Sequence, residues 1–343
     1  MNNYGYFFVN LNEFSKKSSA EYDNIWNFYF NSAFRGEPTQ HCHNCIPESG
    51  KGQYYLEECI FSNDQDGVIN FTGISNTLFL HNRCSFSNCT STKSAGCIFY
   101  QPVSSSSIVQ RKFCCTKCQS QGSSVHFSFA RADKDKLNFV IESSLFDVGN
   151  ESVGYSTIYA RYGAPIVSST NFSSCKALSS SVGEVSSHFP SLKSKINYTT
   201  VVNNLATFSS GCIIYIYDNS LLESCNIINN TKTESKRGII YHNSWYLTIK
   251  SCSFINNTFP EDSYLIYNNN QLTVESCYID NSIPKAFYRK IVTYYPRGLF
   301  TNKLIHLSPD ICHAEFEIIN ISIDIDNELP LFFIALVNTE NSL

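Results

Sequence analysis

Thiols, imidazoles and carboxylates are the groups in this chain that could do chemistry, and their spacing limits what they can do. His41-Cys42-His43-Asn44-Cys45 offers two imidazoles and two thiols within five residues. A structural zinc ion takes four such ligands in a tetrahedron. This run could close around one ion only with strained local geometry, and no second pair follows at zinc-finger spacing. Phe113-Cys114-Cys115-Thr116-Lys117-Cys118 places three thiols in six residues. Asp64-Gln65-Asp66-Gly67 is the best acidic cluster, but calcium requires six or more oxygens and no partner cluster lies one repeat away. The expected readings are a cap loop with a local thiol pair, a core-and-corner thiol group and a surface turn, with no metal and no cofactor.

Hydrolysis of acidic polysaccharides needs paired carboxylates as general acid and base. Galacturonan hydrolases built on stacked β-coils add a Gly-His-Gly and an Arg-X-Lys nearby. The chain contains no Asp-Asp pair and neither of those motifs. No nucleophile, base and orienting group can be assembled from spacing alone. One column of side chains could bind rather than react. Phe99, Tyr159, Tyr215, Tyr241 and Tyr267 recur at one position of a repeated short strand, and Ile precedes each of them. With that preceding position inward, these rings form an outward stripe. Tyr159, Tyr215, Tyr241 and Tyr267 are the candidate ligand-binding residues, for a glycan or a protein. The competing reading is that stacked rings simply stabilise the sheet.

The elements that must hold this stripe follow from a repeat. Val274-Glu275-Ser276-Cys277-Tyr278-Ile279-Asp280-Asn281 returns as Ile249-Lys250-Ser251-Cys252-Ser253-Phe254-Ile255-Asn256 and as Leu222-Glu223-Ser224-Cys225-Asn226-Ile227-Ile228-Asn229. Looser copies centre on Cys59, Cys84, Phe113, Ser144, Thr170 and Thr200, and a late one on Ile321. With the central residue numbered zero, position +2 is apolar throughout: Phe61, Phe86, Cys115, Phe146, Phe172, Val202, Ile227, Phe254, Ile279 and Ile323. Zero and +2 therefore share one face of a short strand. Two polar residues separate it from an earlier apolar pair such as Leu272 and Val274, which marks a corner. A third strand lies midway between copies. Three short strands per 25–30 residues, without helical periodicity, form one coil of a solenoid in which no unit buries its apolar face alone.

Position +4 is Asn63, Asn88, Asn204, Asn229, Asn256 and Asn281 in six copies. Asn tolerates the left-handed backbone of a sharp corner, and stacked amides are expected to hydrogen-bond along the rod. Cysteines also fall in register, with Cys59, Cys84, Cys225, Cys252 and Cys277 at zero. Inward cysteine behaves as a small apolar residue, so reduced core packing is favoured over a disulfide framework.

The chain has 343 residues, 16% charged, with a net charge of −4 and no basic block. It therefore lacks the electrostatic footprint of a nucleic-acid binder. Tyr6-Phe7-Phe8-Val9 is too short for a signal-peptide core, and Leu329 to Val337 is too short to span a membrane. The expected organisation is an N-terminal cap over 1–50, with a helix near Ser15 to Phe30, and regular coils over 51–282. An irregular coil, last strands and a C-terminal cap then fill 283–343.

Phe254-Ile255-Asn256-Asn257 matches the Phe-X-X-Asn element of chlamydial polymorphic outer-membrane proteins. Ala95-Gly96-Cys97-Ile98 and Ser210-Gly211-Cys212-Ile213 approximate their Gly-Gly-Ala-Ile element. The cysteine-rich wording resembles the right-handed β-helix repeat proteins of trichomonad protists over roughly residues 51–325. The resemblance implies a cell-surface or adhesion-type role, without the usual membrane anchor. The resulting expectation is an all-β, right-handed parallel β-helix of pectin-lyase-like form, with about ten coils between two caps. It would serve as a non-catalytic binding scaffold. The alternative is a carbohydrate-active enzyme, a polysaccharide lyase or glycoside hydrolase, with divergent site residues.

Overall fold

The computed structural model describes residues 19–36, 38–40, 52–92, 95–122, 125–208, 211–234, 236–280, 286–288 and 291–304. The late repeat copy at Ile321, the His41–Cys45 run, Asn281 and the Leu329–Val337 segment lie outside them. Every strand pairing among the described residues is parallel, and the strands stack as a β-solenoid. The first complete coil comprises Gln53–Glu57 on face A, Ile60–Ser62 on face B and Ile69–Thr72 on face C. The eighth comprises Tyr246–Lys250, Ser253–Ile255 and Tyr264–Asn268. In a ninth turn faces A and B fuse into one strand, Gln271–Ile279, and Phe287–Tyr288 continues face C.

One apolar core runs the length of the stack, from Tyr54 to Cys277. Cys59, Cys84, Phe113, Thr170, Cys225, Cys252 and Cys277 are inward at position zero, as expected. Two copies are corrected by one residue. Cys115 pairs with Leu145, Leu145 with Phe172, Phe172 with Val201 and Val201 with Ile227. The inward positions are thus Ser143 and Leu145 rather than Ser144 and Phe146, and Thr199 and Val201 rather than Thr200 and Val202. Corrected in this way, successive copies are spaced between 25 and 30 residues. Phe61 stacks on Phe86 along the column at 5.0 Å, and Phe113 stacks across the core on Phe127 of face C at 4.9 Å.

Each coil turns twice through left-handed backbone. Position −1 runs from Glu58 through Arg83, Lys112, Glu142, Ser169, Tyr198, Ser224 and Ser251 to Ser276, with φ between 48° and 56°. Position +4 runs from Asn63 through Asn88, Lys117, Asp147, Ser174, Asn203 and Asn229 to Asn256, with φ between 50° and 56°. The cost of left-handed backbone for a residue bearing a Cβ is roughly 1–2 kcal/mol. It is offset because the corner N–H donates to the next coil, as from Asn63 to Ser87 O and from Asn229 to Ile255 O, both at 3.0 Å.

The amide file runs one position later than expected. Asn204, Asn230 and Asn257, at +5, point into the core. Asn204 Nδ2 donates to Asn230 Oδ1 at 2.9 Å and Asn230 Nδ2 to Asn257 Oδ1 at 3.0 Å. The same oxygens accept the backbone N–H of the preceding coil, and each Nδ2 also donates to a carbonyl of that coil, Phe172, Val201 or Ile227.

The helix Ser19–Phe30 lies on the outer side of face A. Trp26 is fully buried with Tyr55, Leu80 and Val109, and Tyr29 meets Phe139, so the helix crosses the first four coils. Thr39–Gln40 then pairs with the first face A strand. Beside this seam Glu57 is wholly buried. It accepts Tyr55 Oη at 2.8 Å and Asn82 Nδ2 at 3.0 and 2.9 Å. Burial pushes its carboxyl up to about 7, against the opposing pull of the Asn82 and Tyr55 hydrogen bonds. Among the described residues no helix is long and apolar enough to cross a membrane. At the far end Ser253 Oγ donates to Phe300 O and Asn226 Nδ2 to Asn302 O at 2.9 Å, so residues 300–302 run back along face B.

Asn229 and Asn230 separate corner from file. Asn229→Gly should leave stability unchanged or slightly raised, since Gly takes the left-handed angle freely, whereas Asn230→Ala should cost about 1–3 kcal/mol by stranding buried polar partners; urea unfolding of the two variants checks this. Glu57 supplies a pH signature. Its folded value lies above that of the unfolded carboxyl, so the stability it carries is full below about pH 4.5 and is lost as pH rises through about 7. Relative to Glu57→Gln, the wild type should lose about 1–3 kcal/mol between pH 4.5 and pH 8, again by urea unfolding.

Candidate ligand-binding face

Face C carries the aromatic column. Its strands alternate an inward set, such as Tyr100, Ala130, Ala160, Val185 and Ile216, with an outward one. The outward register reads Asn70, Phe99, Phe129, Tyr159, Glu184, Tyr215, Tyr241, Tyr267 and Tyr288. Tyr159, Tyr215, Tyr241 and Tyr267 therefore stand in one line, extended by Phe99, Phe129 and Tyr288. The rings stack along the rod axis, with Phe129 on Tyr159 at 4.7 Å and 4°, Tyr215 on Tyr241 at 5.1 Å, and Tyr267 on Tyr288 at 4.2 Å and 7°. Face-to-face stacking of this kind occupies ring faces with other rings and turns the ring edges outward.

The line is broken once, by Glu184. A second outward column breaks on the same strand, Ser180–Ser186, because Arg131 pairs with Arg161, Arg161 with Ser186 and Ser186 with Tyr217. Two short side chains thus sit between a coil presenting Tyr159 and Arg161 and a coil presenting Tyr215 and Tyr217. Charge converges on this break. Arg161 Nε lies 3.7 Å from Glu184 Oε1 and donates to His188 Nε2, while its Nη1 donates to Tyr159 Oη. Burial pushes the Glu184 carboxyl up, and the Arg161, Arg131 and Arg237 guanidiniums oppose that push. Burial and the Arg161 charge hold His188 below its ordinary value, which suits an unprotonated ring accepting from Arg161.

Aromatic faces hold the guanidiniums in turn. Arg131 lies 5.0 Å from the Phe129 centroid, Arg161 lies 5.5 Å from both Tyr159 and Tyr162, and Arg237 lies 3.9 Å from Tyr241. His188 stacks on Tyr217 at 5.1 Å. Asp218 sits behind the break, buried, with Oδ2 accepting Ser187 Oγ at 3.2 Å. Arg161 pairs with Glu184, and Arg131 and Arg237, two coils to either side, add positive charge that acts on the same carboxyl, on a chain whose net charge is −4. Such a site recognises carboxylates or sulfates through Arg. A retaining or inverting glycosidase needs two available carboxyls flanking one bond. At the break Glu184 is paired with Arg161 and Asp218 is buried and bonded.

Reading spacing alone misses Phe129, Arg131, Arg161, Glu184, His188 and Arg237. A signal for part of the set was present: Phe129-Ala130-Arg131 and Tyr159-Ala160-Arg161 are the same phrase in successive coils. The acidic turn lies at the early end of this face, where Asp66 lines a shallow hollow with Asn70 and Phe99. Asp64 Oδ1 accepts the Asp66 N–H at 2.9 Å, as a surface turn does. Cys115 and Cys118 are core thiols and Cys114 is disulfide-bonded. No family model, no curated protein and no solved structure matches the chain.

Proposed function

We propose that this chain is a non-catalytic β-solenoid scaffold that binds an anionic glycan on face C, at the break in the aromatic column. The observation that carries the reading is the Arg161–Glu184 pair where the stacked rings are interrupted, flanked by Arg131 over Phe129 and Arg237 over Tyr241. Guanidiniums already fixed against ring faces lose little freedom on binding a carboxylate or sulfate. Ring edges and the Tyr159 hydroxyl add apolar and polar contact for a sugar. A stiff rod suits display, and the resemblance to surface β-helix repeat proteins supports a cell-surface, adhesion-type setting.

Surface-immobilised uronate-rich and sulfated oligosaccharides, beside neutral ones, test this directly. Acidic glycans should bind with an affinity that falls as salt rises, and an Arg131→Ala, Arg161→Ala double variant should weaken binding at least tenfold. Glu184→Gln should bind as well or better, because it removes the carboxylate that pairs with Arg161. Binding that prefers neutral glycans, or that ignores the arginine changes, contradicts the proposal. Release of new reducing ends from a polyuronide, abolished by Glu184→Gln, would instead favour the carbohydrate-active enzyme.

A further inference from the structure

The eleven free cysteines among the described residues are all buried. Several stand in single file along the rod, as Cys225, Cys252 and Cys277 do, with each backbone N–H 3.4 Å from the next sulfur. The second and third coils differ. Cys89 and Cys118 occupy the same +5 corner one coil apart, joined by the Gln119 N–H to Cys89 O bond at 2.9 Å. Cys97 reaches the same corner from the start of the face C strand. The three sulfurs lie within 4.8 Å of one another, all buried. Cys115, buried on face B, is a fourth thiol beside the trio, outside the 4.8 Å set. Among the described residues this is the one place where three or more thiol, imidazole or carboxylate groups converge as ligands would.

The surrounding chain is shaped for the convergence. A Cβ on Gly96 would stand 1.9 Å from the His126 carbonyl oxygen, so only glycine allows the approach that brings Cys97 inward. The Cys89 thiol donates to the Phe61 and Ser87 carbonyls at 3.6 and 3.5 Å and the Cys118 thiol to the Thr116 carbonyl at 3.4 Å, bonds that a metal ion would replace. Apolar Val68, Ile69 and Ile98 belong to the same core. A shallow hollow on the neighbouring surface is lined by Asp66, Ser91, Ala95 and Phe99. Four thiolates around zinc at about 2.3 Å stand about 3.8 Å apart, so the trio needs to tighten by no more than about an ångström.

We propose that Cys89, Cys97, Cys115 and Cys118 form a buried thiolate site for a soft d10 metal ion, either zinc(II) held by all four or copper(I) held by the convergent three. Binding displaces the thiol protons to solvent and changes no oxidation state. A closed thiolate site of this kind would tie two coils to each other across the core.

Full-length protein purified under reducing conditions, without chelator, tests the site by elemental analysis and native mass spectrometry. One zinc or copper per chain is expected. Cobalt(II) loading should give the intense near-ultraviolet sulfur-to-metal bands of a tetrahedral thiolate if all four ligate; stoichiometric copper(I) without such a cobalt adduct would identify the three-thiol form. Cys97→Ala should weaken binding at least tenfold, whereas Cys175→Ala, an equally buried cysteine two coils beyond Cys118, should not change it. Should Cys97→Ala fail to fold, the wild-type stoichiometry still decides. Folded, reduced wild type that takes up none of the three ions overturns the site. So does uptake unchanged in folded Cys97→Ala, or a Cys89–Cys118 disulfide found by peptide mapping of freshly isolated protein.

Discussion

Everything in this molecule hangs on one geometric constraint, the coil-to-coil backbone hydrogen bond. It holds equivalent residues of successive coils at the strand spacing of about 4.8 Å, and so turns a sequence position into a column. Tyr215, Tyr241 and Tyr267 face their counterparts because Ile214, Ile240 and Ile266 pair in parallel beneath them. The Asn204–Asn230–Asn257 file and the sulfur file Cys225–Cys252–Cys277 are the same rule applied inside. Left-handed corners at −1 and +4 are the condition for the rule to hold, because they return the chain to register whether the side chain there is Glu, Lys, Ser, Tyr or Asn.

That constraint also explains how far the chain could be read in advance. The zero and +2 columns are readable where an apolar residue stands between polar ones, as at Phe86 or Phe172. At Leu145-Phe146 and Val201-Val202 two apolar residues stand together, alternation is silent, and the reading slipped by one residue. The asparagine file was misplaced for a similar reason. Asn203-Asn204, Asn229-Asn230 and Asn256-Asn257 are doublets, and spacing cannot say which member turns the corner and which enters the core. Hydrogen-bond accounting decides it, since only the inward amide must find three partners in a dry interior.

The candidate face divides in the same way. A recurring tyrosine at one register is a sequence signal, and its column could be drawn before the structure. Glu184 could not be found so, because its significance is that it interrupts a pattern, on a strand whose copies are otherwise aromatic. The guanidiniums belong to three different coils and become a group only through stacking: Arg131 and Arg161 by direct register, Arg237 by its place over Tyr241. The thiol cluster is likewise invisible to spacing, since Cys97 enters from another face. Solenoids concentrate function in this manner, by aligning residues that lie 25–30 positions apart in the chain.

The most direct test of the account is therefore the register itself, measured in solution. Ile60, Thr200 and Tyr278 occupy one outward column of face B, five and eight coil steps apart from the first. Pulsed electron-spin distances between labels carried on non-natural side chains should give a narrow peak at about 38 Å for the Ile60–Tyr278 pair and about 24 Å for Ile60–Thr200, one strand spacing per coil. Broad distributions, or distances that do not scale with the number of coils between the labels, would contradict the stacked columns on which the amide file, the thiol cluster and the aromatic face all rest.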